Sequence, residues 1–137
     1  MTTFALPLQT AIYSLLTTAG LSATVFDDVP DLPAGMPTSS FPYIVIGEDS
    51  FVPWDTDDRR GVRASLYLHI WSRYNGKLEV KTIMQEIDDA LNRQASSLSA
   101  AGYSFIDCTL EYANVIDHSD GETRHGVLRY RVTMQKD

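Results

Sequence analysis

The chain has 137 residues, enough for one domain that buries roughly two-thirds of its unfolded surface. Its composition, 44% hydrophobic and 21% charged, is ordinary for a globular fold, and no apolar run approaches the roughly 18–20 residues of a membrane span. The net charge of −7, from 18 acidic against 11 basic residues, excludes affinity driven by phosphate neutralisation, which needs a basic footprint.

The opening MTTFALPLQT lacks the basic n-region of a secretory signal, and a lone Cys108 cannot close an intramolecular disulfide. A soluble intracellular protein is the expectation. Residues 7–19 place Leu8, Ala11, Ile12, Leu15, Leu16 and Ala19 on one helical face. Pro7 suits the first turn of that helix, Gly20 a left-handed cap, and Leu21 can fold back on Leu16. TVFDDV predicts a short strand, and PDLPAGMPTSSFP a loop that ends with Phe41 held extended by Pro42. YIVIGED (43–49) predicts a strand buried on both faces at its start. SFVPWDTDDRRG (50–61) interrupts with proline, glycine and a charged run.

From 62 to 73 the alternation is clean. Val62, Ala64, Leu66, Leu68 and Ile70 lie on one face; Arg63, Ser65, Tyr67, His69, Trp71 and Arg73 lie on the other. Asn75-Gly76 marks a turn into a second helix, 77–93, with Val80, Ile83, Met84, Ile87, Ala90 and Leu91 as its apolar stripe. Gly76 and Glu79 are spaced as a weak cap with an acidic first turn. Two further strands are predicted at 103–116 and 125–135, joined by the polar connection DHSDGETR. The order α-β-β-β-α-β-β, with one apolar stripe per helix, predicts a single α+β domain over 1–137. Its expected architecture is a two-layer sandwich, an antiparallel sheet of four to five strands with both helices on one face.

That arrangement frees the opposite sheet face. It would carry Arg63, Tyr67, His69, Trp71 and Arg73; then Tyr103, Phe105, Asp107, Thr109, Glu111 and Ala113; then His125, Val127, Arg129, Arg131 and Thr133. Protein interfaces are enriched in Trp, Tyr and Arg, whereas a wet face with cross-strand ion pairs yields the same charged residues without a partner. Both readings stand at this level.

Catalytic constellations are weak. His118, Asp120, Glu122 and His125 share one loop, but their spacing matches neither a zinc-finger pair nor HExxH, and polar hairpin tips have this composition for conformational reasons. A small-molecule- or metal-binding domain using that loop is the competing hypothesis from another class. DTDD (55–58) lacks the spacing of a calcium loop and is followed by Arg59-Arg60, while Asp27, Asp28 and Asp31 sit in a turn-rich acidic stretch. Cys108 falls on the expected core side beside Ile106 and Leu110, the setting of a structural thiol. GxSxG and phosphate-cradling glycine loops are absent. No enzyme, cofactor or metal is predicted.

The whole-chain pattern does resemble a known family. LQTAIYSLLTTA, VFDDVP, FPYIVIGED (41–49), IWSRYNGKLEVKTI (70–83) and HGVLRYRV (125–132) follow the order seen in tail-completion, or tail-terminator, proteins of long-tailed bacteriophages and related gene transfer agents. The resemblance implies a small α+β protein that assembles as a ring, of six copies, at the head-proximal end of the virion tail after synthesis in the host cytoplasm. It implies as partners other copies of the chain, the tail tube protein and a head-side connector or stopper, with DNA passing nearby without specific binding and no membrane. Another head-tail joining protein is the near alternative. The family offers no catalytic residues. The interface expected from the strand faces comprises Arg63, Tyr67, His69, Trp71, Arg73, Glu111, Arg129 and Arg131, with Trp54, Asp55, Asp57, Asp58, Arg59 and Arg60 as a projecting arm that orders on assembly.

Overall fold

A computed structural model of the chain describes residues 2–26, 41–73, 76–117, 121 and 123–137. In chain order the elements are α1 (Thr2–Thr18), β1 (Thr24–Phe26), β2 (Tyr43–Pro53), β3 (Gly61–Ser72), α2 (Leu78–Leu91), β4 (Tyr103–Asp117) and β5 (Arg124–Lys136), with a 3-10 turn at Ala95–Ser97. No described helix is long and apolar enough to cross a membrane.

The alternation in β3 does what period two requires. Val62, Ala64, Leu66, Leu68 and Ile70 are buried under the helices, and the intervening side chains turn the other way. From α1, Leu8, Ala11, Ile12 and Leu16 join one continuous core with Val80, Ile83, Ile87 and Leu91 of α2. Both helices therefore cover the same sheet face, and each fully buried Leu or Ile contributes about 1.5–3 kcal/mol. Tyr130 of β5 is wholly buried within that core, and its hydroxyl donates to Asp88 Oδ1 at 2.9 Å, which fixes α2 on the sheet. Gly126 lets the other end of α2 come close, since a Cβ there would stand 2.9 Å from Val80 Cγ2.

Pro7 lies inside α1, not in its first turn as predicted. Phe4 accounts for the extra turn: it is buried edge-on to Tyr103, with ring centroids 5.5 Å apart. Tertiary packing thus holds a turn that proline alone would release. Gly20, at φ 72°, follows the helix as predicted. The second helix starts at Leu78 with Lys77 at its N-cap and no side-chain cap. Its first turn is tied to β3 instead, Ser72 Oγ donating to Glu79 Oε1 at 2.7 Å.

The sheet order is β1-β2-β3-β5-β4. Three neighbouring pairs are antiparallel, but β1 runs parallel to β2, so the sheet is mixed at one edge. The length of chain from 27 to 42 accords with this, because parallel neighbours cannot be joined by a tight hairpin. β3, α2 and β4 form a crossover between strands of like direction, with β5 inserted between them.

Two sequence readings of strands change. β2 does not stop at Asp49: after an irregularity between Ile46 and Asp49 it runs on to Pro53, with Phe51 opposite Ala64 on the helix side. β4 has register shifts between Phe105 and Asp107 and between Leu110 and Tyr112. Each adds one residue and reverses the facing of all that precede it. Tyr103 and Phe105 therefore pack toward the helices, and Ala113 faces that side opposite Leu128. Ile106, predicted for the core, is 43% exposed.

Candidate functional site

The face away from the helices is not one patch. At the end nearest β1 it is closed by aromatics. Tyr43 and Val45 are buried there, Tyr43 packs against Phe26 and Phe41, and the Arg73 guanidinium lies 4.6 Å above the Phe41 ring. Arg73 Nε also donates to Thr123 Oγ1 at 3.2 Å. Arg73 is thus placed on this face, as expected, but is engaged within the chain.

Beside it runs a hydrogen-bonded row across three strands. His69 Nε2 lies 2.8 Å from Glu48 Oε1, and His69 Nδ1 lies 2.8 Å from His125 Nε2. A carboxylate only accepts, so His69 donates to Glu48 from Nε2; a neutral His69 then accepts at Nδ1 from His125. Trp71 stacks on the His125 ring at 3.9 Å with a 7° tilt. The β2 irregularity positions this row. Gly47 passes so close that a Cβ would stand 2.5 Å from His69 Cδ2. Glu48 is held below the usual carboxylate range by its own backbone N–H and then by His69.

The third group lies toward β4. Arg129 sits between Tyr67 and Tyr112, its guanidinium carbon 5.9 Å and 5.5 Å from the two ring centres, and donates to the Tyr67 hydroxyl at 3.3 Å. That bond, above all, raises its pKa. Glu111 bridges Arg129 at 3.7 Å and Arg131 at 3.8 Å. Among the described residues, Arg131 Nε is buried without a hydrogen-bond partner. The register shift after Leu110 makes this cluster, because it turns Glu111 and Tyr112 to the same side.

Trp54 to Arg60 form the tip of the β2–β3 hairpin. The Trp54 N–H donates to the Gly61 carbonyl at 2.8 Å, Thr56 N–H to the Arg59 carbonyl at 2.9 Å, and Gly61 N–H to Asp55 Oδ1 at 2.9 Å. Lys136 N–H binds the Arg60 carbonyl at 2.9 Å, and Arg63 lies 6.0 Å over the Trp54 ring. These bonds give the tip a defined shape within the single chain. Asp57, Asp58, Arg59 and Arg60 are exposed on it.

The sequence therefore placed Arg63, Tyr67, His69, Trp71, Arg73, Arg129 and Arg131 on the correct face, but Tyr103 and Phe105 on the wrong one, and it did not show how the outward residues group. Tyr112 was missed, as was the bond that His69 donates to Glu48; the adjacent residues Glu111-Tyr112, which cannot both face outward in a regular strand, were the available signal. Among the described residues no group of three or more His, Cys, Asp or Glu is arranged to hold a metal. His118, Asp120 and Glu122 of the competing loop reading lie outside the described residues, as do Asp27, Asp28, Asp31 and Asn75. Cys108 is buried, and burial pushes its thiol up to about 12, the opposite of an activated nucleophile.

A family model described as tail completion protein gp17 matches residues 9–135. The tail completion protein gp17 of Bacillus phage SPP1 is 31% identical over 94 residues, 69% of this chain and 68% of that protein. A chain in the virion of a native gene transfer agent particle has a TM-score of 0.78 at 17% identity, covering 93% of this chain and 94% of that one. The likeness to that chain is one of fold.

Proposed function

Since the chain belongs to the tail completion protein gp17 family, we propose that its copies form a closed ring of six at the head-proximal end of a virion tail. There they end polymerisation of the tail tube and join the tail to the head-side connector. Tail completion is an assembly role, and the chain is a structural protein rather than an enzyme. The family match across almost the whole chain carries this reading. The physical features agree with it. An arginine–aromatic face and a shaped, exposed hairpin tip are two different surfaces, as head-to-tail contacts around a ring require. A net charge of −7 keeps phosphate attraction low, which suits a ring through which DNA passes.

Negative-stain images of particles assembled without this chain should show over-long tails detached from heads, and adding it back should restore joined tails. Tails of normal length, joined to heads in its absence, would overturn the reading.

A further inference from the structure

Two stretches of sheet edge have no partner strand among the described residues. β1 pairs only with Tyr43–Val45, so β2 runs from Asp49 to Pro53 with one side open. The bond from Trp54 N–H to the Gly61 carbonyl fixes which backbone groups face β3. By the period of two, those of Asp49 and Phe51 face away from it. Pro53 has the same outward facing, where its missing N–H breaks no bond of the ladder.

At the far side of the sheet, the first half of the β4 edge is covered. The Cys108 carbonyl accepts from Arg93 N–H at 2.7 Å, and Leu110 N–H donates to Asn92 Oδ1 at 3.0 Å. The register shift after Leu110 moves the outward positions to Ala113 and Val115. There, among the described residues, Val115 N–H has only the adjacent Asn114 side chain, at 2.9 Å.

The flanks of the two edges are complementary. On the helix side of Ala113 and Val115 is a groove of about 500 Å³ lined also by Lys77, Lys81 and Met84. On the outer side Tyr112 is 44% exposed. The open stretch of β2 presents Asp49 and Phe51 on its helix side and Val52, 62% exposed, on its outer side. Neither Asp49 nor Lys81 has an ion-pair partner among the described residues, and Lys77 reaches Asp117 only at 3.5 Å. β2 and β4 run in opposite directions within one sheet, so similarly oriented copies meet as an antiparallel pair.

We propose that the Asp49–Val52 edge of one copy adds to the Tyr112–Val115 edge of the next, with Asp49 beside Val115 under Lys77 and Lys81, and Val52 beside Tyr112. This rests on the ring reading above and names the contact that closes it. One edge meets a different edge, so the contact repeats from copy to copy.

Charge reversal tests it. Asp49→Lys alone, and Lys77→Glu with Lys81→Glu alone, should each leave the chain folded by circular dichroism and lower self-association at least about tenfold in sedimentation. An equimolar mixture of the two variants restores every contact when the copies alternate. The lysine introduced by Asp49→Lys then faces the two introduced glutamates, and the native Asp49 of the other variant faces native Lys77 and Lys81. The mixture should therefore assemble like wild type. Hydrogen exchange on the wild type gives a second readout: the Phe51 and Val115 amides should gain protection on assembly. Wild-type rings with those amides unprotected, variants that assemble alone, or a mixture that fails to assemble would each sink this contact and leave the ring reading standing. A wild-type chain that stays monomeric at every concentration and is not ring-shaped in tails overturns both.

Discussion

His69 is held from two sides, by Glu48 and by His125, and from beneath by the backbone of Gly47. A methyl group at position 47 would displace the ring and break both bonds. Overpacking of this kind costs about 1–3 kcal/mol. Gly47→Ala is therefore expected to lower the urea midpoint, and to do so much less when His69 is already alanine, where the ring in the way is gone. Equal losses in both backgrounds would show that the glycine serves something other than this contact. The row shapes the outer face because Trp71 rests on His125, so the outward aromatic surface inherits its position from a hydrogen bond two residues away.

At the level of elements, the β2–β3 hairpin combines two structural parts in one segment. Its strands are the centre and one flank of the sheet, and its tip projects Asp57, Asp58, Arg59 and Arg60 into solvent. Because the tip closes through its own backbone bonds, it can be removed without opening the core. Replacing residues 54–60 by Asn-Gly, a two-residue turn suited to an antiparallel hairpin, should preserve cooperative unfolding while abolishing ring formation or tail joining. Normal assembly of the shortened chain would refute a role for the tip.

For the molecule as a whole, global stability is linked to the buried thiol of Cys108. Its value rises from the ordinary 9.0 to about 12, mainly by burial and then through Asp107 and Asp88. Between those limits the unfolded chain sheds the proton and the folded chain keeps it, so stability is full below pH 9 and falls as pH rises toward 12. The slope is about 1.4 kcal/mol per pH unit for one such group. The buried Tyr130 phenol, raised by burial and by Asp88, adds loss in the same direction. Urea titrations at pH 8, 9 and 10 should show this fall, and Cys108→Ala should flatten it. An unchanged slope in that variant would mean that other groups set the alkaline limit.

Period and punctuation in the sequence determined the two helices, the strands, their order and the core face of β3, because those depend on spacing along one segment. The helical stripe of α2 and the alternation from Val62 to Ile70 needed nothing from elsewhere in the chain. The family too was legible there, through the pattern that the gp17 family match later covered from residue 9 to 135. Tertiary structure alone decided the rest. The start of α1 depends on Phe4 meeting Tyr103, ninety-nine residues away. The grouping of Glu111, Tyr112, Arg129 and Arg131, and the open edge at Ala113, depend on where β4 slips against β5. An extra residue in a strand is a property of the pair, since it exists only relative to a partner's register, and one strand's sequence does not record it.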